Sequence, residues 1–212
     1  MYKIYKNKEE LVKNLISKTD VVLDVGFWGQ GVKYDQEDWV HGKICNCAGE
    51  VYGLDIDFDS TKLKNAKNYQ RGSAENFKFS KRFDVIFAAD LIEHLSNPGL
   101  FLNSCKKNLK ENGRLILTTP NCFNLFNIAE KISKPEPTVN KDHTLYLNIK
   151  TINQLLGKND WKLKDVEFLY SLNSQFQESP KKKFLNIIYF ILSKFTPKFI
   201  ETLVVVAEPR HF

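Results

Sequence analysis

The stretch Val21-Val-Leu-Asp-Val-Gly-Phe-Trp-Gly-Gln-Gly31 (VVLDVGFWGQG) runs from a short apolar segment rich in β-branched residues into a loop with three glycines. The apolar part predicts a buried strand, and the glycines Gly26, Gly29 and Gly31 let the following backbone approach a ligand closely. In open α/β sheets, ligands bind beyond the carboxyl ends of the strands, where the first strand-to-helix loop lies. The acidic Asp24 in this place would repel a phosphate and attract an ammonium group.

The rest of the chain repeats the change from strand to helix. Further segments with strand character are 51–56, 69–72, 83–89, 114–119, 161–170 and 203–208, and a turn is predicted at 112–113. Helical patterns cover 8–17, part of 32–48, 60–66, 98–108 and 152–156. This alternation predicts parallel pairing with right-handed crossovers. The predicted fold class is α/β, a doubly wound Rossmann-like sheet of seven strands, mostly parallel with an antiparallel last strand, and with helices on both faces.

Length and composition limit the organisation. A chain of 212 residues with 42% hydrophobic residues can bury one substantial core, so we predict a single domain over 1–212. Residues 121–150 include Pro135 and Pro137 and break the alternation, which predicts a lid or insertion over the carboxyl edge of the sheet. Four cysteines without paired spacing, and no recognisable signal peptide, predict reduced thiols in a cytoplasmic protein. The longest apolar run, 184–192, is shorter than the roughly 20 residues of a membrane-spanning helix.

The distribution of basic residues indicates whether the protein could bind a membrane or a nucleic acid. The net charge of +6 comes from 31 basic and 25 acidic residues, and most lysines are scattered singly, as on a solvated surface. One cluster, Lys181-Lys182-Lys183, opens a helical segment that runs to Phe195. This segment is of the kind that makes peripheral contact with an anionic membrane, and packing on the sheet with a basic exposed edge is the alternative. No continuous basic stripe or aromatic-studded sheet face is evident, which argues against a nucleic-acid partner.

Two segments at predicted strand ends narrow the choice of ligand. Asp55 follows the second strand, where one carboxylate can accept hydrogen bonds from both hydroxyls of a ribose. Ser73-Ala74-Glu75 follows the third strand and offers small and polar groups to an adenine. With an ammonium at Asp24 and a carboxylate at the loop amides, S-adenosylmethionine satisfies every group. Turn formation, helix capping and loop surface are the alternative roles for the glycines, Asp55 and Ser73.

Five segments also carry a resemblance when they are read together: VVLDVG, GLDID, GSAENF, FDVIFAADLIEHLSNP and GRLILTTPN. They resemble the class I S-adenosylmethionine-dependent methyltransferases over nearly the whole chain, and in particular their small-molecule, ubiquinone-type O-methyltransferase branch. The resemblance implies an enzyme with these cofactor contacts: Asp24, Gly26, Gly29 and Gly31 at the methionine end, Asp55 and Ile56 at the ribose, Ser73, Ala74 and Glu75 at the adenine, and Ala89, Asp90 and Leu91 as the near wall.

The glycine loop departs from the pattern of that family. The family commonly has Asp-x-Gly-x-Gly-x-Gly, whereas Trp28 and Gln30 stand here at the second and third glycine positions. The departure predicts a remodelled loop. It also leaves open a non-catalytic binding or scaffold protein that keeps the fold.

The acceptor chemistry is expected after the fourth and fifth strands. Methyl transfer needs an aligned acceptor and removal of its proton, and a neutral imidazole serves as a base near pH 7. We predict His94 or His143 as this base, with Glu93 beside them. The alternatives are a capping box of Asp90 with Glu93 and a packed helical role for His94. A further hypothesis, also from resemblance, is that Asp90, Glu93, His94 and His143 bind one divalent metal, as in metal-dependent O-methyltransferases.

These observations predict one type of reaction, methyl transfer, but leave several classes of acceptor open. The hypothesis is O-methylation of a small hydroxylated metabolite, a sugar or glycan, or a lipid-linked intermediate. The alternatives are a metal-dependent RNA 2'-O-methyltransferase and the non-catalytic scaffold. The patterns do not determine oligomeric state.

Overall fold

A mixed β-sheet forms the centre of the computed structural model, which describes residues 2–28, 39–63, 66–170, 189, 191 and 196–210. The strands are β1 (Ile4–Tyr5), β2 (Val21–Val25), β3 (Glu50–Asp55), β4 (Tyr69–Arg71), β5 (Phe83–Ala89), β6 (Leu109–Pro120), β7 (Trp161–Leu169) and β8 (Thr202–Pro209). The helices are α1 (Lys8–Leu15), α2 (Val40–Cys47), α3 (Pro98–Asn108), α4 (Leu125–Ser133) and α5 (Ile149–Lys158). Single 3-10 turns occupy Ser60–Lys62, Ala66–Asn68, Ile92–His94 and Pro197–Phe199.

The order of the strands brings the ends of the parallel strands to one edge of the sheet. The order is β1-β7-β8-β6-β5-β2-β3-β4. Strand β8 runs antiparallel to β6 and β7, and the other neighbouring pairs are parallel. The carboxyl ends of β2, β3, β5 and β6 therefore meet at the same edge as the start of β8. The predicted α/β class, the parallel pairing and the antiparallel last strand are confirmed.

Alternating side chains bury both faces of the sheet, because successive residues of a strand point to opposite sides. One face packs on helices α3 and α5, through Leu23, Val25, Ile86, Leu115, Phe101, Leu102, Ile152 and Leu156. The other packs on helices α1 and α2, through Val22, Val85, Phe87, Ile116, Leu11, Val12 and Ile44. Complete burial of such a side chain stabilises the fold by about 1.5–3 kcal/mol. Helices lie on both faces, as predicted.

Several predicted elements differ from the structure. In the described part of the chain the sheet has eight strands where seven are predicted, because Ile4–Tyr5 pairs with β7, and a two-residue strand is too short to show a period in the sequence. Strand β6 begins at Leu109, earlier than predicted, but its pairing with β5 passes from Leu109 directly to Arg114, so the turn predicted at 112–113 falls in an irregular part of the strand. The helix predicted over 60–66 is replaced by isolated 3-10 turns.

The region predicted as a lid, 121–150, contains helix α4. Its last residues lead into α5, which starts at Ile149 because the Asn148 side chain accepts hydrogen bonds from the amides of Lys150 and Thr151. The helix predicted from Lys181 to Phe195 lies outside the described residues, apart from Tyr189 and Ile191. No helix in the described part of the chain has the length and apolar character needed to cross a membrane.

Candidate active site

A cavity of about 830 Å³ opens at the carboxyl edge of the sheet. Strand order decides what lines it. On the side of β2 and β3 its wall is formed by Gly26, Trp28, Asp55, Ile56 and Asp57. Across β5 the wall continues through Asp90, Leu91, Glu93 and His94 to Pro120, Asn124, Asn127, Asn140, Asp142, His143, Glu201 and Thr202. The cavity therefore spans from the first crossover loop to the predicted lid.

Gly26 makes the turn out of β2. Its φ is +81°, a conformation that side-chain-bearing residues rarely adopt. Its amide donates to the carbonyl of Leu54 at 2.8 Å, and a Cβ added here would lie 3.1 Å from Leu91 Cδ1. Gly26, which follows β2, and Leu91, which follows β5, thus meet at the cavity wall, and both are predicted cofactor contacts. Gly29 and Gly31, the other two glycines predicted at the cofactor, lie outside the described residues.

Asp55 ends β3 at the cavity, as its predicted role at a ribose requires. Its two carboxylate oxygens accept hydrogen bonds from the backbone amides of Trp28 (2.9 Å) and Asp57 (2.8 Å). Burial raises the pKa of Asp55, while these two amides act in the opposite direction. Each carboxylate oxygen has a second lone pair, so the group can still accept hydrogen bonds from a vicinal diol. The neighbouring Ile56 is exposed on the cavity wall.

Asp24 does not line the cavity, contrary to the expectation for an ammonium-binding residue. It is only 3% exposed, and its carboxylate lies 2.9 Å from Nδ1 of His41, which is itself buried. The other ring nitrogen of His41 lies 3.1 Å from the Tyr69 hydroxyl. Burial disfavours the charged imidazole, but hydrogen bonds and charges of Asp24 and Cys45 outweigh it and raise the pKa of His41 to about 9. The Asp24 charge is therefore balanced inside the protein.

An aromatic cluster surrounds this buried pair. It consists of Phe27, Trp28, Trp39, Phe58 and Tyr69. The indole of Trp39 donates to the carbonyl of Phe27 at 2.8 Å, which ties the start of α2 to the loop after β2. His41 is not among the residues predicted from the sequence, because nothing in the sequence places it opposite Asp24 before the crossover is folded.

The segment predicted at the adenine does not line the cavity. Ser73, Ala74 and Glu75 lie away from its wall. The Glu75 carboxylate accepts from the backbone amide of Asn97 at 2.7 Å, immediately before α3. The contacts of Glu75 thus serve the start of a helix. Ala89, predicted at the near wall, is buried at the end of β5 and is likewise absent from the lining.

Asp90 reaches the cavity in a left-handed conformation, with φ of 48°. Its Oδ1 accepts from the Thr118 hydroxyl at 2.8 Å, and its Oδ2 pairs with the ammonium of Lys8 at 3.0 Å. The predicted capping box of Asp90 with Glu93 is wrong, because Leu91 occupies the N-cap of the following turn without a side-chain cap. Lys8, at the start of α1, was missed as a cavity residue since it is 82 positions distant in sequence.

The three residues predicted as catalytic are brought together. Suitable ligand atoms of Glu93, His94 and His143 all lie within 4.8 Å of one another. The two imidazole rings meet edge to face, with centroids 4.6 Å apart. The lid segment is held there by Thr144, whose amide (2.8 Å) and hydroxyl (3.0 Å) both donate to the carbonyl of Glu93.

The surroundings of these groups set their protonation. Glu93 is 1% exposed, and burial followed by the charge of Asp90 raises its pKa to about 7. Its Oε2 accepts from the Thr119 hydroxyl at 3.0 Å, whereas its Oε1 is buried without a hydrogen-bond partner. Burial and the nearby His94 lower the pKa of His143, so the imidazole of His143 is neutral at pH 7. The site thus holds a carboxyl group and an imidazole able to accept a proton near neutrality.

Comparison with known proteins shows that the chain is similar to methyltransferases. Residues 28–117 match the family described as Methyltransferase domain. The chain is 27% identical over 158 residues to malonyl-[acyl-carrier protein] O-methyltransferase of Haemophilus influenzae, a match covering 71% of this chain and 52% of that protein. It is 27% identical over 138 residues to the ubiquinone biosynthesis O-methyltransferase of Pelagibacter ubique, covering 58% and 57% respectively. The chain therefore spans about half the length of these curated relatives.

A solved structure extends the likeness to almost the whole chain. A SAM-dependent methyltransferase from Archaeoglobus fulgidus superposes with a TM-score of 0.59 at 19% identity, covering 94% of this chain and 93% of that one. At such low identity the match establishes the fold. Residues 28–117 thus match the methyltransferase-domain family, and the chain as a whole shares the fold of this solved methyltransferase.

Proposed function

We propose that the protein transfers a methyl group from S-adenosylmethionine to an oxygen atom of a small hydroxylated acceptor, such as a metabolite, a sugar or glycan, or a lipid-linked intermediate. One observation carries the proposal: a single cavity joins Gly26 and Asp55 to the cluster of Glu93, His94 and His143. We assign the first pair to the cofactor and the cluster to proton transfer. The names of both curated relatives, which are O-methyltransferases, support oxygen as the acceptor atom.

The residues on the β2 and β3 side fit the cofactor. Gly26 leaves its wall without a side chain, and Asp55 presents a carboxylate suited to a ribose. The contact expected from Asp24 is replaced by the pair with His41, so we assign the cofactor ammonium to a group other than the Asp24 carboxylate. S-adenosylmethionine, when bound, supplies a methyl group already activated on a sulfonium.

The residues on the other side orient and deprotonate the acceptor. Glu93 lines the cavity and its buried Oε1 has no partner in the described chain, so we assign this oxygen to an acceptor hydroxyl once the side chain turns towards the ligand. The neutral His143 takes the proton, with His94 adjacent to share it. Positioning in such a site contributes about 7–11 kcal/mol to catalysis, and a general base roughly 10²- to 10⁴-fold in rate.

The first test is calorimetry with S-adenosylmethionine and S-adenosylhomocysteine. We expect saturable binding by the native protein and a loss of at least about tenfold for Asp55→Ala, since a carboxylate that accepts two hydrogen bonds is removed. Asp59→Ala is the matched control, because Asp59 is an aspartate in the next turn that does not line the cavity. Failure of the native protein to bind either compound would favour the non-catalytic scaffold.

A metal-assisted form of the same reaction is a second candidate. The observation that favours it is the convergence of the carboxylate of Glu93 with the imidazoles of His94 and His143. Asp90, the fourth residue of the metal hypothesis, is instead paired with Lys8 and Thr118. A divalent ion held by the three residues would acidify an acceptor hydroxyl. Titration with Mn²⁺ or Zn²⁺ tests this: binding lost in Glu93→Gln and His143→Ala supports it, and full methyl transfer in chelator rejects it.

A further inference from the structure

The cavity is strongly acidic in its lining. Six carboxylate side chains contribute to it: Asp55, Asp57, Asp90, Glu93, Asp142 and Glu201. Among the described lining residues, Lys8 is the single lysine or arginine. Its ammonium lies 3.0 Å from Asp90 Oδ2, so its charge is already balanced by a carboxylate of the same wall. A ligand in this cavity therefore meets a negative potential without an uncommitted cation on the described wall.

The acidic residues lie on both sides of the cavity, some beside β3 and others beyond β5. Asp55 and Asp57 lie at the end of β3, on the side assigned to a cofactor that is itself cationic. Glu93, Asp142 and Glu201 lie on the far side, which is left for the acceptor. The uncharged lining residues there include the amides Asn124, Asn127 and Asn140. The acceptor side thus offers many hydrogen-bond acceptors and few positive charges.

A second observation shows that this side is built to receive a ligand donor. Glu93 is 99% buried, its Oε2 is satisfied by Thr119, and its Oε1 has no partner although it belongs to a residue on the cavity wall. An unpaired buried oxygen is unfavourable unless a donor reaches it. A hydroxyl or ammonium of a bound molecule can satisfy this oxygen once the Glu93 side chain turns towards the cavity, whereas a phosphate or carboxylate oxygen has no proton to donate to it.

We infer that the acceptor side of the cavity prefers a neutral or cationic molecule that donates hydrogen bonds over phosphorylated, sulfated and carboxylate-bearing ones. The inference rests on the proposed function and adds the charge class of the substrate. The same physics applies whether the acceptor is a sugar or a phenol, because like charges at close range repel each other strongly inside a partly desolvated cavity. The acids near Glu93 determine specificity by charge, separately from the hydrogen bond assigned to Glu93.

The test uses acceptors that differ only in charge. Methyl transfer from labelled S-adenosylmethionine is measured with two matched series: 3,4-dihydroxybenzylamine, 3,4-dihydroxybenzyl alcohol and 3,4-dihydroxybenzoate, and glucosamine, glucose and glucose 6-phosphate. A small-molecule bacterial extract divided by an anion-exchange resin into unretained and retained fractions is the broader probe. We expect the amine, the neutral compound or the unretained fraction to be methylated at least about tenfold faster than the anionic counterpart.

A charge reversal on the wall makes the assignment specific. Asp142 is exposed at the cavity, and Asp142→Lys introduces a cation there. We expect this variant to reduce the discrimination against the anionic acceptor by about tenfold or more. Glu111→Lys is the matched control, because Glu111 is exposed on β6 away from the cavity and the change in net charge is identical. An equal effect of both variants would overturn the local explanation.

The outcomes separate this inference from the proposed function. Faster methylation of an anionic member, or label confined to the retained fraction, overturns the inference and leaves the methyltransferase intact. Binding of S-adenosylhomocysteine with no transfer to any neutral or cationic probe also rejects it. Absence of cofactor binding by calorimetry rejects the proposed function itself.

Discussion

Replacing Glu93 by glutamine should change the stability of the protein relative to the native chain in a pH-dependent manner. The pKa of Glu93 is about 7 in the folded protein and 4.5 for an ordinary glutamate, with burial as the main cause. The two pKa values differ by about 2.5, and each pKa unit corresponds to about 1.4 kcal/mol. Ionisation of Glu93 therefore lowers the free energy of unfolding by about 3 kcal/mol. Because the pKa of Glu93 is raised in the folded protein, the contribution of its neutral carboxyl group to stability is fully present below pH 4.5. That contribution is lost as the pH rises through 7.

Glutamine removes this dependence because it carries no charge at any pH. Its amide oxygen can keep the bond from the Thr119 hydroxyl, but its amide nitrogen then lacks a protein partner where Oε1 stands, which subtracts about 1–3 kcal/mol. The expectation to test is therefore how the difference in stability between the variant and the native protein changes with pH. The stability of Glu93→Gln relative to the native protein should rise by about 2 kcal/mol or more between pH 5 and pH 8.

Urea unfolding at pH 5, 6, 7 and 8 measures this difference, with Glu111→Gln as a control on an exposed glutamate. A constant difference between native and variant across this range would refute the reasoning, since it would mean that Glu93 ionises in the fold as it does in the unfolded chain. Methyl transfer by the same variant should fall, because the carboxylate assigned to orient the acceptor hydroxyl is lost.

Three further predictions concern the frame of the site. Gly26→Ala should destabilise the fold by about 1 kcal/mol or more and weaken cofactor binding measured by calorimetry, because its φ is +81° and its new Cβ would meet Leu91 at 3.1 Å; unchanged binding and stability would contradict this. His41→Ala should cost about 3–5 kcal/mol in denaturant unfolding at pH 7, because it leaves the buried Asp24 unpaired. The part of this cost due to the His41 charge should fade as the pH rises through about 9, and a pH-independent cost would refute it. Gly53→Ala should lower the thermal midpoint, since its Cβ would lie 2.6 Å from two aromatic rings, and an unchanged midpoint would show that the cluster can relax.

The sequence by itself determined the layers of this protein. Strands such as Val21–Val25 and Phe83–Ala89 and the helix Pro98–Asn108 agree with the predicted segments, because the period of apolar residues and the helix-start signals are local properties. Glycine in a left-handed turn at Gly26 and an acid at the tip of the next strand at Asp55 are equally local. The fold class and one half of the site follow from them.

Only the tertiary structure decided which groups face which. Asp24 and Asp55 both end a predicted strand, yet one is turned inward to His41 and the other lines the cavity. Lys8 reaches Asp90, and His143 reaches His94, because crossovers and a docked lid bring distant segments to one edge. Hydrogen-bond partners, burial and the resulting pKa values depend on distances across the fold. A one-dimensional pattern contains the residues but not those distances.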